Sequence, residues 1–323
     1  MRILHIAMGS TEFDRAALEL GHEVSTINWR TLTGSRFTGN APPHLQRTIL
    51  RSAQTFRPDL VFAQTHQSQV ISASTYADLR NMGAFVVNWC GDVREPLPPC
   101  YLHYAAHVDV MAFSNLTDVD LVRAAGYRSE YLQIGYDPTI YNPGDGKQKR
   151  AGVVFMANNY SGRFPNSDLR AKVAAELKHA LRPDFTLYGS GWGGGVRPVQ
   201  GTQEADIYRR SLIAVNADHF TRPYFASDRI LRAQACGCAT FTLAYPGCEE
   251  EHPHAVQCAG VGEMVDAIIM ALDNPVATQQ MGERSAEHTY AHHRWTNRIE
   301  RMAQWINKPK PQNEAAPIAD RIR

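Results

Sequence analysis

The sequence predicts an α/β protein in which two doubly wound domains face a central cleft. Short apolar runs of strand length alternate with stretches of helical periodicity, as a parallel sheet covered by helices requires. Near the middle, residues 137–150 combine prolines, glycines and charges without a periodic apolar face, which is typical of a linker. The alternation restarts after this linker, and 323 residues are enough for two domains of ordinary size.

The first half begins with the apolar run RILHIA, followed by a Gly-Ser turn and by Phe13, Ala16 and Leu20 at helical spacing. This order indicates a strand, a turn and a helix. Similar apolar runs recur along this half, and helical stretches separate them. The predicted strands cover residues 2–7, 23–29, 59–63, 85–88, 108–114 and 131–135.

The second half repeats this alternation. Its predicted strands cover residues 153–157, 185–189, 212–216 and 239–243. Helices are predicted along the face formed by Leu169, Val173, Leu177 and Leu181, and at residues 227–236, 262–273, 276–288 and 290–306. We therefore expect two Rossmann-like domains, residues 1–142 and 143–307, with a last helix that can pack back on the first domain and a flexible tail at residues 308–323.

The balance of charge gives no global field, because 33 Lys and Arg residues face 32 Asp and Glu residues and the formal net charge is +1. Any steering of a charged ligand must therefore be local. The N-terminal segment lacks the apolar region of a signal peptide, and no apolar run reaches the roughly 18–20 residues that span a bilayer. We expect a cytoplasmic protein without a membrane span, whose six cysteines are reduced thiols.

The segment GSGWGG at residues 189–194 matches the G-x-G-x-x-G pattern of dinucleotide-binding proteins. In those proteins the glycines open a helix, whereas here further glycines and a proline follow and no helical period begins before about residue 204. We therefore predict no dinucleotide cofactor. The segment is either a strand-end loop whose Trp192 can contact a nucleotide base or a plain glycine-rich turn.

Two patterns of possible metal ligands have simpler explanations. Asp118 and Asp120 form a D-x-D pair, but Thr117 precedes them as expected of a helix cap. His252 and His254 lie beside three glutamates, without a second pair of ligands at zinc spacing. We predict no metal site and no cofactor.

The segment from residue 216 to residue 238 is the most informative, because a predicted strand is followed by a helix that ends at Gly237. Ser227 or Asp228 is placed to cap this helix. Free backbone N–H groups, the positive end of the helix dipole and the guanidinium of Arg229 together favour an anion there. Asp228 competes with such an anion unless its carboxylate pairs with an arginine.

Other candidate ligand-binding residues lie at or just beyond strand ends of the second half. Arg163 follows the first of these strands and can add positive charge to the site. The remaining candidates are Asn158, Tyr188 and Asp218. Because the carboxyl ends of parallel strands share one edge of the sheet, we expect all of these residues on that edge.

Several segments of the second half resemble one known group. LIAVN-x-D, SDRILRAQACG, YPGCE at residues 245–249 and HTYAHHRW resemble the C-terminal half of CgeB-like glycosyltransferases, which belong to the GT-B nucleotide-sugar enzymes. The N-terminal half is similar more loosely, through RPDLV at residues 57–61, WCGD at residues 89–92 and the crossover IGYDPTIYNP. The resemblance covers nearly the whole chain, with specific motifs over residues 210–295.

The resemblance implies a nucleoside-diphosphate sugar donor, with a UDP-sugar favoured, held by residues 158–250, and an acceptor that enters from the first domain. Without a metal, the helix start at Ser227, Asp228 and Arg229 must stabilise the diphosphate leaving group. Arg232 is a departure, because many retaining relatives carry a ribose-binding glutamate at this position. The ribose contacts and the stereochemical outcome therefore stay open.

An inverting enzyme of this kind needs a base in the first domain to deprotonate the acceptor hydroxyl. Asp92, after the strand FVVNW, is the first candidate. His66, after the strand DLVFA, is the second, since an unperturbed histidine has a pKa of about 6.5. In a retaining enzyme the leaving phosphate takes this proton, and neither residue needs to be a base.

The acceptor class is not readable from the sequence and includes glycans, small molecules, proteins and hydroxymethylated bases of DNA. Two other functions of the same fold compete with transfer. A nucleotide-sugar 2-epimerase would convert the donor without any acceptor, and a non-catalytic protein would bind the donor without releasing nucleoside diphosphate. The sequence indicates no oligomeric state.

Overall fold

A computed structural model describes residues 1–9, 11–34, 41–65, 70–194 and 196–307. The chain forms two compact units. Unit 1 contains Met1–Ile134 and the segment that begins at Trp295, and unit 2 contains Gly135–Arg294. Each unit has a parallel sheet with helices between its successive strands, so the predicted α/β class is confirmed.

The sheet of unit 1 has six parallel strands in the order β2-β1-β3-β4-β5-β6. The strands are β1 (Arg2–Ala7), β2 (Glu23–Asn28), β3 (Leu60–Gln64), β4 (Phe85–Cys90), β5 (Val110–Phe113) and β6 (Ser129–Tyr131). The helices are α1 (Glu12–Glu19), α2 (Trp29–Thr33), α3 (Pro43–Phe56), α4 (Ala73–Asn81), α5 (Pro99–Ala105) and α6 (Leu116–Ala124). The central strands are almost fully buried, which explains their continuous apolar sequences.

The sheet of unit 2 has five parallel strands in the order β11-β10-β9-β7-β8. The strands are β7 (Val153–Met156), β8 (Phe185–Tyr188), β9 (Ile213–Asn216), β10 (Ala239–Leu243) and β11 (Val256–Cys258). The helices are α7 (Ser167–Ala180), α8 (Thr202–Arg210), α9 (Asp228–Ala235), α10 (Cys248–Glu251), α11 (Val261–Asp273) and α12 (Pro275–His292). In both sheets the first strand of the unit lies between the second and the third.

The last helix, α13 (Trp295–Ile306), belongs to unit 1. Its buried face includes Trp295, whose ring lies 5.7 Å from that of Phe13 and 6.0 Å from that of Trp89. Arg298 donates from Nε to the carbonyl of Gln133 at 2.9 Å. Aromatic packing and a buried hydrogen bond therefore hold α13 against the rest of unit 1.

The expected linker at residues 137–150 is part of unit 2. Tyr141 is buried and donates its hydroxyl to Glu204 at 2.9 Å, and Arg150 donates to the carbonyl of Cys236 at 2.6 Å. The two units divide between Ile134 and Gly135, whereas the sequence placed the boundary after residue 142. The contacts of the tyrosine and the arginine therefore make the segment part of unit 2, although its composition is typical of a linker.

Some predicted elements differ from those observed. The predicted strand at residues 131–135 is instead the short edge strand β6, and β11 was not predicted. The predicted break between the helices 276–288 and 290–306 lies later in the chain, because α12 continues to His292 and α13 begins at Trp295. At this break the Tyr136 N–H donates to the carbonyl of His293. The cap of α6 is Asn115, whose side chain accepts the Asp118 N–H at 2.9 Å, and not Thr117.

No helix within the described part of the chain is long and apolar enough to cross a membrane.

Candidate functional site

The strand order of unit 2 reverses between β7 and β9. In doubly wound sheets a crevice opens at such a point, outside the carboxyl ends of the strands, and ligands bind there. The chain after β7 and the chain after β9 form this edge of the sheet. The site is therefore built from residues 157–164 and 216–229, together with the side chains that α7 brings to them.

A network of polar side chains fixes the start of α9. The Asp218 carboxylate accepts the backbone N–H of Ser227 at 3.1 Å and the side-chain amide of Asn216 at 2.9 Å. Ser227 occupies the N-cap position of α9 as predicted, but its hydroxyl donates to Asn216 at 3.3 Å and accepts no helix N–H. Asp218 and Ser227 thus hold the loop that leads into α9.

Asp228 is neutralised within its own helix. Its carboxylate lies 2.8 Å from the Arg232 guanidinium, one helical turn later. Arg232 also pairs with the buried Glu204 at 3.2 Å, and burial raises the pKa of that glutamate despite the arginine. The carboxylate expected to compete with an anion therefore has an arginine partner.

Two arginines concentrate positive charge at this edge, and a histidine lies beside them. Arg170 of α7 is only 1% exposed, and its Nε and Nη1 have no hydrogen-bond partner among the described residues. Its pKa is lowered to about 9, first by burial and then by the charge of Arg229, although Asp218 acts in the opposite direction. A buried cation with unused donors is costly unless an anion joins it.

His219 is the third member of this cluster. Neither of its ring nitrogens has a hydrogen-bond partner in the described part of the chain. Its pKa is lowered to about 3, by burial first and then by the charges of Arg170 and Arg229. A bound anion would reverse the effect of the arginines and supply a hydrogen-bond partner.

Aromatic rings form an apolar wall beside the histidine. The His219 ring lies 4.8 Å from Phe164 and 5.0 Å from Tyr160. Arg163 is exposed and its guanidinium lies over the Phe164 ring at 5.4 Å. The low polarity of this wall strengthens electrostatic interactions with any ligand in the crevice.

The chain after β8 packs tightly on the chain after β7. The Asn158 side chain accepts the Ser190 N–H at 2.9 Å, and the Trp192 indole donates to the carbonyl of Ala157 at 2.5 Å. A Cβ on Gly191 would lie 2.1 Å from the Asn159 carbonyl oxygen. This glycine therefore permits a close approach of two loops.

These contacts place the remaining predicted residues of unit 2. Tyr188 ends β8 and its carbonyl accepts the Ala157 N–H at 2.8 Å. The indole N–H of Trp192 is occupied by the protein, and its ring packs partly against the core. The structure thus places Asn158 and Trp192 on the loops after β7 and β8. The Tyr188 side chain instead packs against a different apolar cluster, which contains Val154 and Met156.

In unit 1, Asp92 follows β4 and is exposed, and its carboxylate lies 3.0 Å from the Arg94 guanidinium. A Cβ on Gly91 would lie 2.3 Å from the Trp89 ring, so only glycine fits before Asp92. His66 lies outside the described residues. The assignment of either residue as a base stays a prediction.

Sequence reasoning missed Arg170 and His219. The predicted face of α7 began at Leu169, but this leucine is 37% exposed and the buried face includes Ser167 and Arg170. An arginine three residues before Val173, in register with the core, was the available signal. His219 carried no signal beyond its position after a strand end.

Among the described residues, no group of three or more His, Cys, Asp and Glu side chains is arranged to hold a metal ion. The predicted absence of a metal and of a cofactor stays a prediction.

Residues 168–304 match a protein family described as Glycosyl transferase-like. The matched region contains Arg170, His219 and Arg229. No curated protein sequence matches the chain. The family match supports glycosyl transfer as the activity of this chain.

Several solved structures are similar over nearly the whole chain. Sucrose-phosphate synthase from Thermosynechococcus elongatus has a TM-score of 0.61 at 11% identity, covering 95% of this chain and 98% of that one. HepE from Anabaena, solved with UDP-glucose, has a TM-score of 0.61 at 11% identity, covering 95% and 99%. AviGT4, a glycosyltransferase involved in avilamycin A biosynthesis, has a TM-score of 0.61 at 16% identity, covering 95% and 97%. The chain therefore has the GT-B fold of glycosyltransferases.

Proposed function

We propose that this protein transfers a glycosyl group from a nucleoside-diphosphate sugar to an acceptor hydroxyl, and that the carboxyl edge of the unit 2 sheet holds the diphosphate. The observation that carries the proposal is Arg170, a buried cation with unpartnered donors beside Arg229 and His219. A diphosphate supplies the charge and the acceptor oxygens that this cluster lacks.

The same cluster can promote departure of the nucleoside diphosphate. Negative charge grows on the diphosphate as the glycosidic bond breaks, and fixed cations stabilise it without reorganisation. The first turn of α9 adds backbone N–H groups and the positive end of its dipole, each such contact contributing about 1–2 kcal/mol when partly buried. These groups would let transfer proceed without a metal ion or a cofactor.

A UDP-sugar is the proposed donor, since HepE binds UDP-glucose in the same fold. Asn158, Tyr188 and Trp192 are the residues proposed to border the nucleoside. Arg232 stands where many retaining relatives carry the glutamate that binds the ribose, and it pairs with Glu204 and Asp228. We propose that the ribose is therefore held by other groups than in retaining relatives.

Asp92 is the proposed base for an inverting reaction, with His66 as the second candidate. The Asp92 carboxylate lies 3.0 Å from the Arg94 guanidinium, after the carboxyl end of β4. We further propose that the protein is CgeB-like and acts in the cytoplasm, on the strength of the motifs over residues 210–295.

A thermal-shift screen with UDP-, GDP-, ADP- and dTDP-glucose tests the donor site. A specific donor raises the apparent stability by mass action, and the UDP-sugar is expected to give the largest shift. Arg229→Ala should reduce this shift and weaken binding about tenfold or more, whereas Arg284→Ala, an exposed residue of α12, should leave both unchanged. Equal shifts in the wild type and Arg229→Ala would contradict the proposed site.

A further inference from the structure

A second concentration of positive charge lies in unit 1, in a segment that contributes no residue to the proposed donor site. Between Glu23 and Asp59 the sequence contains five arginines and no Asp or Glu. Two of these arginines, Arg47 and Arg51, are exposed on α3, one helical turn apart. This segment of the chain therefore carries a local positive charge that the balanced total conceals.

Arg47 and Arg51 line a groove of about 730 Å³ on unit 1, which we call the α3 groove. Its lining combines cationic or imidazole side chains with hydroxyls from α3, β1 and β2. The lining residues are Arg2, Ser25, His44, Arg47, Thr48, Arg51, Ser52, Thr55 and Phe56. Among the described residues no carboxylate lines the groove and none pairs with Arg47 or Arg51, but the lining Arg2 pairs with Glu23 at 3.7 Å.

The arrangement of these groups favours an extended anion. Arg47 and Arg51 are separated by about 6 Å along the helix axis, and His44 continues the row toward the start of α3. Thr48 and Ser52, each next to one of the arginines in the sequence, add hydroxyls to the lining, and the Thr48 hydroxyl donates to the His44 carbonyl at 2.9 Å. Arginine and hydroxyl side chains in a row are the groups that contact successive phosphates of a nucleic acid backbone.

The groove lacks what other polyanion-binding surfaces use. Single-stranded nucleic acids bind on exposed aromatic rings, but the Arg2 guanidinium covers the Phe56 ring of the groove at 4.8 Å. A membrane-binding surface would need apolar side chains to insert, and among the described lining residues only this covered ring is apolar. A duplex also presents its phosphates in a fixed row, so less conformational entropy is lost than with a flexible polymer.

We propose that the α3 groove binds the phosphodiester backbone of double-stranded DNA, independently of its base sequence. The row of cations would neutralise phosphates of one strand and release their counterions. Together with the proposed glycosyl transfer, this binding would make DNA the carrier of the acceptor. That consequence rests on the proposed function, whereas the DNA binding does not depend on it.

Fluorescence anisotropy with a labelled 30-base-pair duplex, measured between 50 and 300 mM salt, tests the proposal. The double variant Arg47→Ala/Arg51→Ala should bind at least tenfold more weakly at 100 mM salt. Its slope of log affinity against log salt should be shallower by about 2, since each lost phosphate contact contributes about 0.9. Lys178→Ala/Arg284→Ala removes two exposed charges from unit 2 and should retain wild-type affinity and slope.

Three outcomes would overturn the proposal: wild-type affinity and slope in Arg47→Ala/Arg51→Ala, tighter binding of the matching single strand, or binding of vesicles with 30% anionic lipid in place of the duplex. A UDP-glucose thermal shift on the same proteins separates the two proposals. If the shift persists while the duplex does not bind, only the DNA proposal fails. If the duplex binds through the groove but no nucleotide sugar shifts the melting temperature, only the proposed function fails.

Discussion

Arg170 is the residue on which the donor site depends, and its cost to the empty protein is a measurable property. A guanidinium that is 1% exposed, with two nitrogens lacking hydrogen-bond partners among the described residues, lowers the free energy of unfolding of the ligand-free protein. An arginine buried for structural reasons has a different signature, because its removal breaks hydrogen bonds and lowers stability.

Arg170→Met should therefore leave the ligand-free protein at least as stable as the wild type and abolish the stabilisation by UDP-glucose. Methionine fills similar volume without a charge. Thermal unfolding with and without UDP-glucose checks both halves of the prediction. A variant that melts much earlier but keeps its shift with UDP-glucose would identify Arg170 as a structural residue.

His219 makes the stability depend on pH in a defined direction. Its pKa is about 6.5 in the unfolded chain and about 3 in the folded protein, because burial and the two arginines disfavour its charged form. The unfolded state therefore binds more protons, and the contribution of His219 to stability is fully present above pH 6.5 and is lost as the pH falls toward 3.

His219→Gln should remove this pH dependence, since glutamine does not titrate. Between pH 6.5 and pH 4.5 the wild type is expected to lose stability more steeply than the variant, by at most about 1.4 kcal/mol per pH unit. Urea unfolding of both proteins at several pH values measures the difference. Parallel curves for the two proteins would show that His219 does not titrate as the geometry requires.

At the scale of the elements, the buried strands were predictable and the edges were not. β10 has the predicted bounds because its sequence ATFTL consists of apolar and β-branched residues, four of which are buried. β11 has three residues and only one of them is buried, so no local pattern marked it. A break between the last two helices was predicted at residue 289, but it lies after His292. There the Tyr136 N–H makes a tertiary hydrogen bond to the His293 carbonyl.

The candidate site was likewise predictable only where the signal is local in the sequence. Ser227 and Arg229 were predictable because the start of α9 follows a strand end, and this local order is visible in the sequence. The bond from Ser227 to Asp218 and the approach of Arg170 depend on tertiary packing. The position of a charge within one segment could therefore be predicted from the sequence, whereas the approach of charges from different segments could not.

The glycines of the loop after β8 offer a matched test of packing between elements. Gly191 and Gly193 have similar positive φ angles of 82° and 71°. A Cβ on Gly191 would meet the Asn159 carbonyl oxygen at 2.1 Å, whereas a Cβ on Gly193 would meet nothing within 4 Å. The two positions therefore differ in steric contact and hardly in backbone strain.

Gly193→Ala should cost about 1 kcal/mol, which is the effect of the left-handed backbone alone. Gly191→Ala should cost about 2–4 kcal/mol, because the loops after β7 and β8 must also separate. Urea unfolding gives both values, and UDP-glucose affinity should fall more for Gly191→Ala than for Gly193→Ala. Equal losses of stability at the two positions would show that the close approach of the two loops does not affect the free energy of unfolding.

At the scale of the whole molecule, each unit has its own apolar core, so each is expected to unfold with its own transition. Four of the five tryptophans, Trp29, Trp89, Trp295 and Trp305, belong to unit 1. Intrinsic fluorescence therefore reports mainly on unit 1, while far-UV circular dichroism reports on both units.

Trp295→Ala should destabilise unit 1 by about 3–5 kcal/mol, because a ring that is 3% exposed leaves a large cavity among Phe13, Phe62 and Trp89. The fluorescence transition in urea should move to lower denaturant, while UDP-glucose should still raise the transition of unit 2. Met270→Ala, at a side chain that is 73% exposed, is the control and should change neither transition. If Trp295→Ala instead shifts only the UDP-glucose-sensitive transition, α13 contributes its stability to unit 2 and the division of the chain into these units is wrong.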